Sequence, residues 1–219
     1  MTGLAELIPE LAVVVLAAGL SIILHEVAHG WVAYRLGDPT AKLAGRLTLN
    51  PLAHIDPVGT LLVPGLLLLL ATVTKAPIIL FGWARPVPIN PLYFRRPYRD
   101  LMLVGLAGPL LNLSLAGLGL AAWQPLSRSS QPLPELLGLF LAALILINLI
   151  LAFYNLIPIP PLDGSRVLAY FLPPRGRMLL HRLEPFGLFL ALGVLFLLWQ
   201  SKLLERLLEP LLRFLGLGP

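Results

Sequence analysis

Long apolar runs alternate with short polar, proline-containing segments along the whole chain. A helix of about 20 apolar residues is needed to cross a hydrocarbon core of about 30 Å. Runs that suit such helices occupy about residues 11–36, 101–123, 136–156 and 184–199. The pattern therefore predicts an all-α polytopic membrane protein with about four full transmembrane helices.

The segments between these runs predict smaller elements. The apolar run 58–74 is short and contains the pair Pro64-Gly65, which favours a re-entrant or broken segment over a full crossing. Residues 43–49 and 78–81 have the pattern of small membrane-associated β-strands. Charged residues among the leucines of 201–216 predict a C-terminal amphipathic helix at the membrane surface.

The chain length, 219 residues, suits a single membrane-embedded domain, residues 1–219. Within it, residues of about 11–172 are expected to form the core that carries the chemistry, and residues 184–219 the last span and the amphipathic tail. Hydrophobic residues make up 58% of the chain and charged residues 12%, about half the charged fraction of an average soluble domain. Composition thus supports the membrane assignment.

Charge and cysteine content narrow the partners and ligands. The chain has no Cys, which excludes disulfides and thiolate metal ligands and leaves His, Asp and Glu as candidate ligands. The net charge of +5 comes from Lys and Arg in short loops between the apolar runs. Such residues set topology and meet anionic lipid headgroups, so the lipid bilayer is the expected partner and nucleic acid is not.

The strongest chemical signal is the stretch His25-Glu26-Val27-Ala28-His29, near the end of the first apolar run. His25 and His29 share one face of a helix and can ligate one zinc ion, and Glu26 can activate a water. A histidine in an apolar segment is often only a hydrogen-bonded core residue. Three ionisable side chains inside a spanning segment are costly, however, and mark functional sites. A third ligand must come from elsewhere in the chain.

Three residues outside the motif are candidates for that third ligand. His54 and Asp56 lie in the following loop, where a hydrogen-bonding role is expected for His54. Asp163 lies at the depth of the motif if an even number of crossings separates the two. This parity requires that 58–74 makes no full crossing. The same arrangement puts most Lys and Arg residues on one side, which the positive-inside rule identifies as cytoplasmic.

Three motifs together give the chain a family resemblance. HEVAH in the first span, AGPLLN at 107–112 and NLIPIPPLDG at 155–164 resemble the site-2 protease family of intramembrane zinc metalloproteases. The stretches LNPLAHIDPVGTLL and FGWARPVPINP resemble a compact bacterial branch of it, without a PDZ domain. The resemblance implies a three-helix catalytic core in which His25, His29 and Asp163 bind one Zn²⁺ per chain. It also implies that Glu26 is the general base and that Asn155 lies near the active site.

The resemblance implies an enzyme that hydrolyses peptide bonds within or near transmembrane segments of membrane-protein substrates. It would reside in the cell membrane with its active site nearer the cytoplasmic face. A substrate helix must unwind locally, and strands at 43–49 or 78–89 could pair with it by β-addition. The alternatives are a metal-ion or proton transporter that uses the buried His and Asp residues, and a catalytically inactive scaffold. The oligomeric state and the roles of His54, Asn112 and Asn148 stay open.

Overall fold

The computed structural model describes residues 2–74, 82–128 and 134–215. Most of these residues are helical, and no β-strand occurs among them. The α-helices are α1 (Thr2–Arg35), α2 (Thr40–Leu43), α3 (Val63–Thr74), α4 (Pro97–Ser127), α5 (Glu135–Asn155), α6 (Asp163–Phe171), α7 (Pro174–Leu183), α8 (Gly187–Gln200) and α9 (Leu203–Phe214). Short 3₁₀ turns occupy Pro51–His54, Pro91–Tyr93 and Glu184–Phe186, and a π-helix occupies Pro57–Leu62.

Among the described residues, five helical stretches are long and apolar enough to cross a membrane. They are Ile8–Arg35, Pro57–Thr74, Pro97–Ser127, Glu135–Asn155 and Pro174–Leu198. The prediction of a helical, multi-pass membrane protein is confirmed. The last stretch begins earlier than the sequence predicts, because the turn Glu184–Phe186 joins α7 directly to α8.

Helices α1, α4 and α5 form the centre of the bundle, and α6 packs against α4. Small residues at the crossings let these helices approach closely. A Cβ atom on Gly119 of α4 would lie 2.7 Å from Cγ1 of Ile145 on α5. Asn148 of α5 also donates a hydrogen bond to Ser21 Oγ of α1 at 2.7 Å. Close packing and this buried interhelical bond fix the relative positions of the three helices.

The chain between α2 and α4 runs through a π-helix and α3, and at Trp83 it lies again beside the start of that π-helix. The π-helix Pro57–Leu62 continues into α3, so the break expected at Pro64-Gly65 is a change of helix type. Pro64 has no N–H with which to continue this bond pattern to Gly59 O. The Trp83 N–H then donates to Gly59 O at 3.1 Å, and Trp83 O accepts from Thr60 Oγ1 at 2.9 Å. The chain at Trp83 is therefore back beside Gly59.

The strand predicted at 43–49 is not supported. Helix α2 ends at Leu43, Gly45 has φ +67°, and the Arg46 side chain donates to the carbonyl of Ala53. These contacts fold the segment into turns, and the described residues offer it no neighbouring strand to pair with. The strand predicted at 78–81 lies outside the described residues.

The C-terminal tail forms α9, in agreement with the predicted helix, but it also contributes to the bundle. Leu215, only 4% exposed, packs in a cluster with Trp123 of α4 and Leu141 of α5. Glu209 and Arg213 form an ion pair on its exposed side. Because Trp123 is near the end of α4 and Leu141 near the start of α5, α9 covers that end of the bundle.

Candidate metal centre

Two histidines in the C-terminal half of α1 form the base of the site. His25 and His29 are 6% and 4% exposed, and one helical turn separates them. Their Nε2 atoms approach to 3.0 Å, and the rings meet edge to face at 87°. The spacing of the motif therefore turns both imidazoles toward one point, as the sequence predicts.

Asp163, the first residue of α6, brings a carboxylate to the same point. Its Oδ2 lies 3.2 Å from His25 Nε2 and 3.1 Å from His29 Nε2. The next residue must be glycine, because a Cβ on Gly164 would lie 2.2 Å from Leu156 O. The tight turn after α5 thus brings the start of α6 into contact with the end of α5, and this contact fixes the position of the Asp163 carboxylate.

Helix α4 fixes the orientation of both imidazoles. His25 Nδ1 lies 2.8 Å from Asn112 Oδ1, and His29 Nδ1 lies 2.6 Å from the carbonyl oxygen of Val104. Asn112 is fully buried. When Nδ1 of a neutral imidazole carries the proton and donates a hydrogen bond, Nε2 has a free lone pair. Both Nε2 lone pairs are therefore directed at Asp163.

Glycine at two positions of α4 makes room for the cluster. A Cβ on Gly108 would lie 2.5 Å from both His25 Cε1 and His29 Nε2. A Cβ on Gly105 would lie 3.0 Å from Asp163 O. The backbone of α4 thus forms one wall of the site, and larger side chains at these positions would occupy the space of the ligands.

The donor set fits a zinc ion. Two imidazole lone pairs and a carboxylate oxygen meet within 3.2 Å, and they repel one another unless a cation lies between them. Tetrahedral ligand atoms 2.0–2.1 Å from zinc are separated by roughly 3.3 Å, close to these distances. Within the described residues, His25, His29 and Asp163 are the group of His, Asp and Glu side chains that could hold a metal.

The two oxygen atoms of the Asp163 carboxyl group have different partners. Asp163 Oδ2 faces the histidines, whereas Oδ1 lies 3.2 Å from Nη1 of Arg166, one turn further along α6. The Arg166 side chain is 36% exposed. An oxygen held by a guanidinium is less free to join the metal, which favours ligation through Oδ2 alone.

Glu26 lies on the neighbouring face of α1 and contacts a different part of the chain. Its Oε2 accepts a hydrogen bond from the Val87 N–H at 2.9 Å. Val87 is buried and packs near Gly30, where a Cβ would meet Val87 Cγ1 at 2.9 Å. The carboxylate also interacts electrostatically with His25. Glu26 is therefore held beside the metal centre without joining it.

Other predicted residues have local partners. Asn155 donates to Leu151 O, one turn back in its own helix, at 3.0 Å. His54 is buried and its Nε2 lies 2.9 Å from Thr48 O, the loop role expected for it. Asp56 caps the π-helix by accepting from the N–H groups of Val58 and Gly59. None of the three contacts the His-His-Asp cluster.

Sequence reasoning missed the residues that support the ligands. Asn112 was noted only as a polar residue in a span, although its place in AGPLLN was a signal. Arg166 and Val87 gave no signal, because their roles depend on how α6 and the segment before α4 dock.

Fold and site together define a class, the membrane-embedded metalloproteases. The site joins two histidines at helical spacing, a glutamate after the first of them, and a distant aspartate, all inside a multi-pass helical bundle. The comparisons with known proteins agree with that class.

Residues 124–198 match the model of peptidase family M50. A Bacillus subtilis protein named "Putative zinc metalloprotease YwhC" is 37% identical over 94% of this chain and 96% of its own length. Rip2 of Mycobacterium tuberculosis, with the same description, is 36% identical over 84% of this chain and 67% of its own length. No solved structure gives a significant match. The chain belongs to peptidase family M50 and is an intramembrane zinc metalloprotease, which confirms the resemblance to site-2 proteases.

Proposed function

We propose that His25, His29 and Asp163 bind the zinc ion and that Glu26 is the general base of peptide hydrolysis. The observation that carries this assignment is the convergence of two imidazole lone pairs and one carboxylate oxygen within 3.2 Å. Glu26 lies beside this cluster, and its Oε2 bonds the Val87 N–H instead of joining the cluster. The transporter alternative gains no support from the family or from the relatives' names.

In this proposal, different residues of the protein carry out different steps of the hydrolysis. A zinc ion bound here supplies Lewis acidity, which polarises a carbonyl and lowers the pKa of a water towards about 7. Glu26 takes the proton of the attacking water and gives it to the departing amine. The Val87 N–H, 2.9 Å from Oε2, orients the carboxylate for both transfers. Asn112 and Val104 keep the imidazoles turned toward the metal.

We assign Asn155 a secondary role. Its Nδ2 donates to Leu151 O at 3.0 Å, which leaves the second amide proton for a substrate oxygen. An amide donor near a developing oxyanion stabilises it. Asn155 is the last residue of α5, and the turn that follows it leads to Asp163 at the start of α6.

The substrates are transmembrane segments that unwind beside Glu26. The N–H groups of Trp83, Arg85 and Val87 all bond inward, to Gly59 O, His54 O and Glu26 Oε2. This two-residue alternation is that of an extended segment, although residues 82–89 pair with no strand among the described residues. Residues 86 and 88 are prolines, so the outer edge offers carbonyl acceptors but few N–H donors. β-addition by a substrate would therefore rest mainly on substrate N–H groups that donate to this edge.

The active site faces the cytoplasm in this proposal. Because Trp83 returns to Gly59, residues 57–83 make no net crossing, so α4 and α5 alone separate the motif from Asp163. The absence of cysteine allows a clean test with single-cysteine variants and a membrane-impermeant maleimide in oriented vesicles. Asp56→Cys and Ala84→Cys are expected to label from the cytoplasmic side, and Ser127→Cys from the opposite side. Labelling of Asp56→Cys and Ala84→Cys from different sides would contradict the topology.

The assignment of Glu26 is tested with Glu26→Gln in purified protein. The variant is expected to keep its zinc and lose cleavage of a model transmembrane substrate. Glu10→Gln, in the same helix but remote from the metal, is the matched control and is expected to keep both. Cleavage retained by Glu26→Gln would contradict the mechanism.

A further inference from the structure

A cavity of about 460 Å³ lies between α1 and the segments that pack on the Glu26 side of it. Its wall is mostly apolar and includes Gly19, Ile22, Ile23, Ile55, Pro64 and Trp83. His25, His29 and Asp163 do not belong to this wall. A cavity of this size and character suits an apolar ligand, and it holds a large aliphatic or aromatic side chain with ease.

The cavity lies next to the site of the proposed chemistry. Ile22 and Ile23 precede Glu26 by four and three residues, so they lie on the same face of α1, about 4.5–6 Å away along the axis. The opposite wall contains Trp83, from the segment whose Val87 N–H bonds Glu26. An unwound peptide held at Glu26 therefore has this cavity as its nearest apolar recess.

We propose that this cavity binds an apolar side chain of the unwound substrate next to the scissile bond. The proposal rests on the protease function proposed above. It commits to a peptide rather than a lipid acyl chain, because the wall joins Ile22 and Ile23, one helical turn from Glu26, to Trp83, whose segment bonds Glu26 through the Val87 N–H.

Gly19 allows the cavity to be filled without disturbing the fold. No heavy atom lies within 4 Å of a Cβ built on Gly19, which lines the cavity. The same is true of Gly117, which lies on the exposed side of α4, away from the cavity. Gly19→Leu and Gly117→Leu therefore make the same chemical change in two spanning helices, and only the first reduces the cavity.

The test measures residue preference with purified protein in liposomes. A series of model transmembrane substrates carries Ala, Val, Leu or Phe at each position near the cleavage site, which mass spectrometry maps. The wild type is expected to prefer Leu or Phe at one position beside the scissile bond. Gly19→Leu is expected to lower the Leu-to-Ala ratio of kcat/KM there by tenfold or more, with zinc content unchanged, and Gly117→Leu to leave the ratio unchanged. Gly19→Ala should give an intermediate ratio.

Two results would overturn the assignment of the cavity. One is an unchanged ratio in Gly19→Leu and Gly19→Ala. The other is a lipid that co-purifies with the wild type and is lost in Gly19→Leu while the ratio stays the same. Failure of the proposed function looks different, because then the wild type does not cleave or Glu26→Gln still does.

Discussion

The two faces of α1 that meet near the metal centre are built in opposite ways. The metal face carries Ser21, His25 and His29, and each of the helices α4, α5 and α6 places a polar side chain against it. The substrate face carries Gly19, Ile22, Ile23 and Glu26 and borders a cavity of about 460 Å³. One face of α1 thus carries the proposed zinc ligands and is covered by other helices. The other face is open, and we propose that it admits a peptide.

This difference indicates how the chain separates two requirements. Ligand geometry needs fixed rotamers and supporting hydrogen bonds, which buried helix contacts provide. Substrate entry needs free space and a segment that can adjust. Changes on the metal face should therefore alter zinc binding, whereas changes on the substrate face should alter cleavage with zinc retained.

The largest effect is expected from Gly108→Val on the metal face. Even a Cβ at this position would lie 2.5 Å from His25 Cε1 and His29 Nε2, so the imidazoles must move. Zinc stoichiometry should fall close to zero and cleavage by about 100-fold or more, since small misplacements of catalytic groups are costly. Metal analysis and a cleavage assay measure both. Gly117→Val is the matched control, and normal zinc content in Gly108→Val would contradict the packing argument.

A large effect of the other kind is expected from Val87→Pro on the substrate face. The change removes the N–H that bonds Glu26 Oε2 at 2.9 Å, and it leaves every ligand and its support in place. We expect kcat to fall roughly 10- to 100-fold with zinc stoichiometry unchanged. This is less than the roughly 100- to 10,000-fold contribution of a general base, because the carboxylate is misplaced and not removed. Val87→Ile keeps the N–H and is expected to stay close to wild type. Loss of zinc in Val87→Pro would show that the two faces are not independent.

The sequence indicates the proposed ligands more directly than their surroundings. His25 and His29 follow from helical spacing, and Asp163 from crossing parity and a motif. The bond between Asn112 and His25 depends on how α4 docks on α1, and 87 residues separate the partners. Periodicity within one segment carries no information on such docking.

The mistaken strand shows the same limit from another side. Leu47 belongs to the alternation that predicted a strand at 43–49, but its side chain packs toward Gly30 of α1, where a Cβ would meet Leu47 Cδ2 at 2.7 Å. A turn that buries a leucine on a helix produces the same local pattern as a strand. The return of Trp83 to Gly59 is likewise a tertiary contact, and the short, proline-containing run 58–74 could only suggest it.

An intermediate effect on the metal face is expected from Asn112→Ala. The substitution removes the acceptor 2.8 Å from His25 Nδ1, so the ring loses both its preferred tautomer and its orientation. Loss of such a partner lowers zinc affinity by about 10- to 100-fold, which competition with a chelator measures. Asn112→Asp restores an acceptor and should recover most of the affinity. Asn148→Ala is the matched control, because it breaks the bond to Ser21 and should destabilise the bundle without weakening zinc binding. Equal zinc affinity in Asn112→Ala and wild type would refute the role of Asn112.

The smallest effect is expected where the metal face reaches solvent, at Arg166. Its Nη1 lies 3.2 Å from Asp163 Oδ1, but the side chain is 36% exposed, so water can partly replace the guanidinium. Arg166→Ala should lower zinc affinity by only about threefold to tenfold, at the lower end of the range for groups that support a ligand. Arg166→Lys keeps the charge but not the planar fork, and its affinity should fall between the two. Arg175→Ala, an exposed arginine in α7, controls for the loss of positive charge. The expected losses of zinc affinity at Gly108, Asn112 and Arg166 decrease as exposure to solvent increases. If Arg166→Ala bound zinc as poorly as Asn112→Ala, the support of the zinc ligands would not depend on exclusion of water.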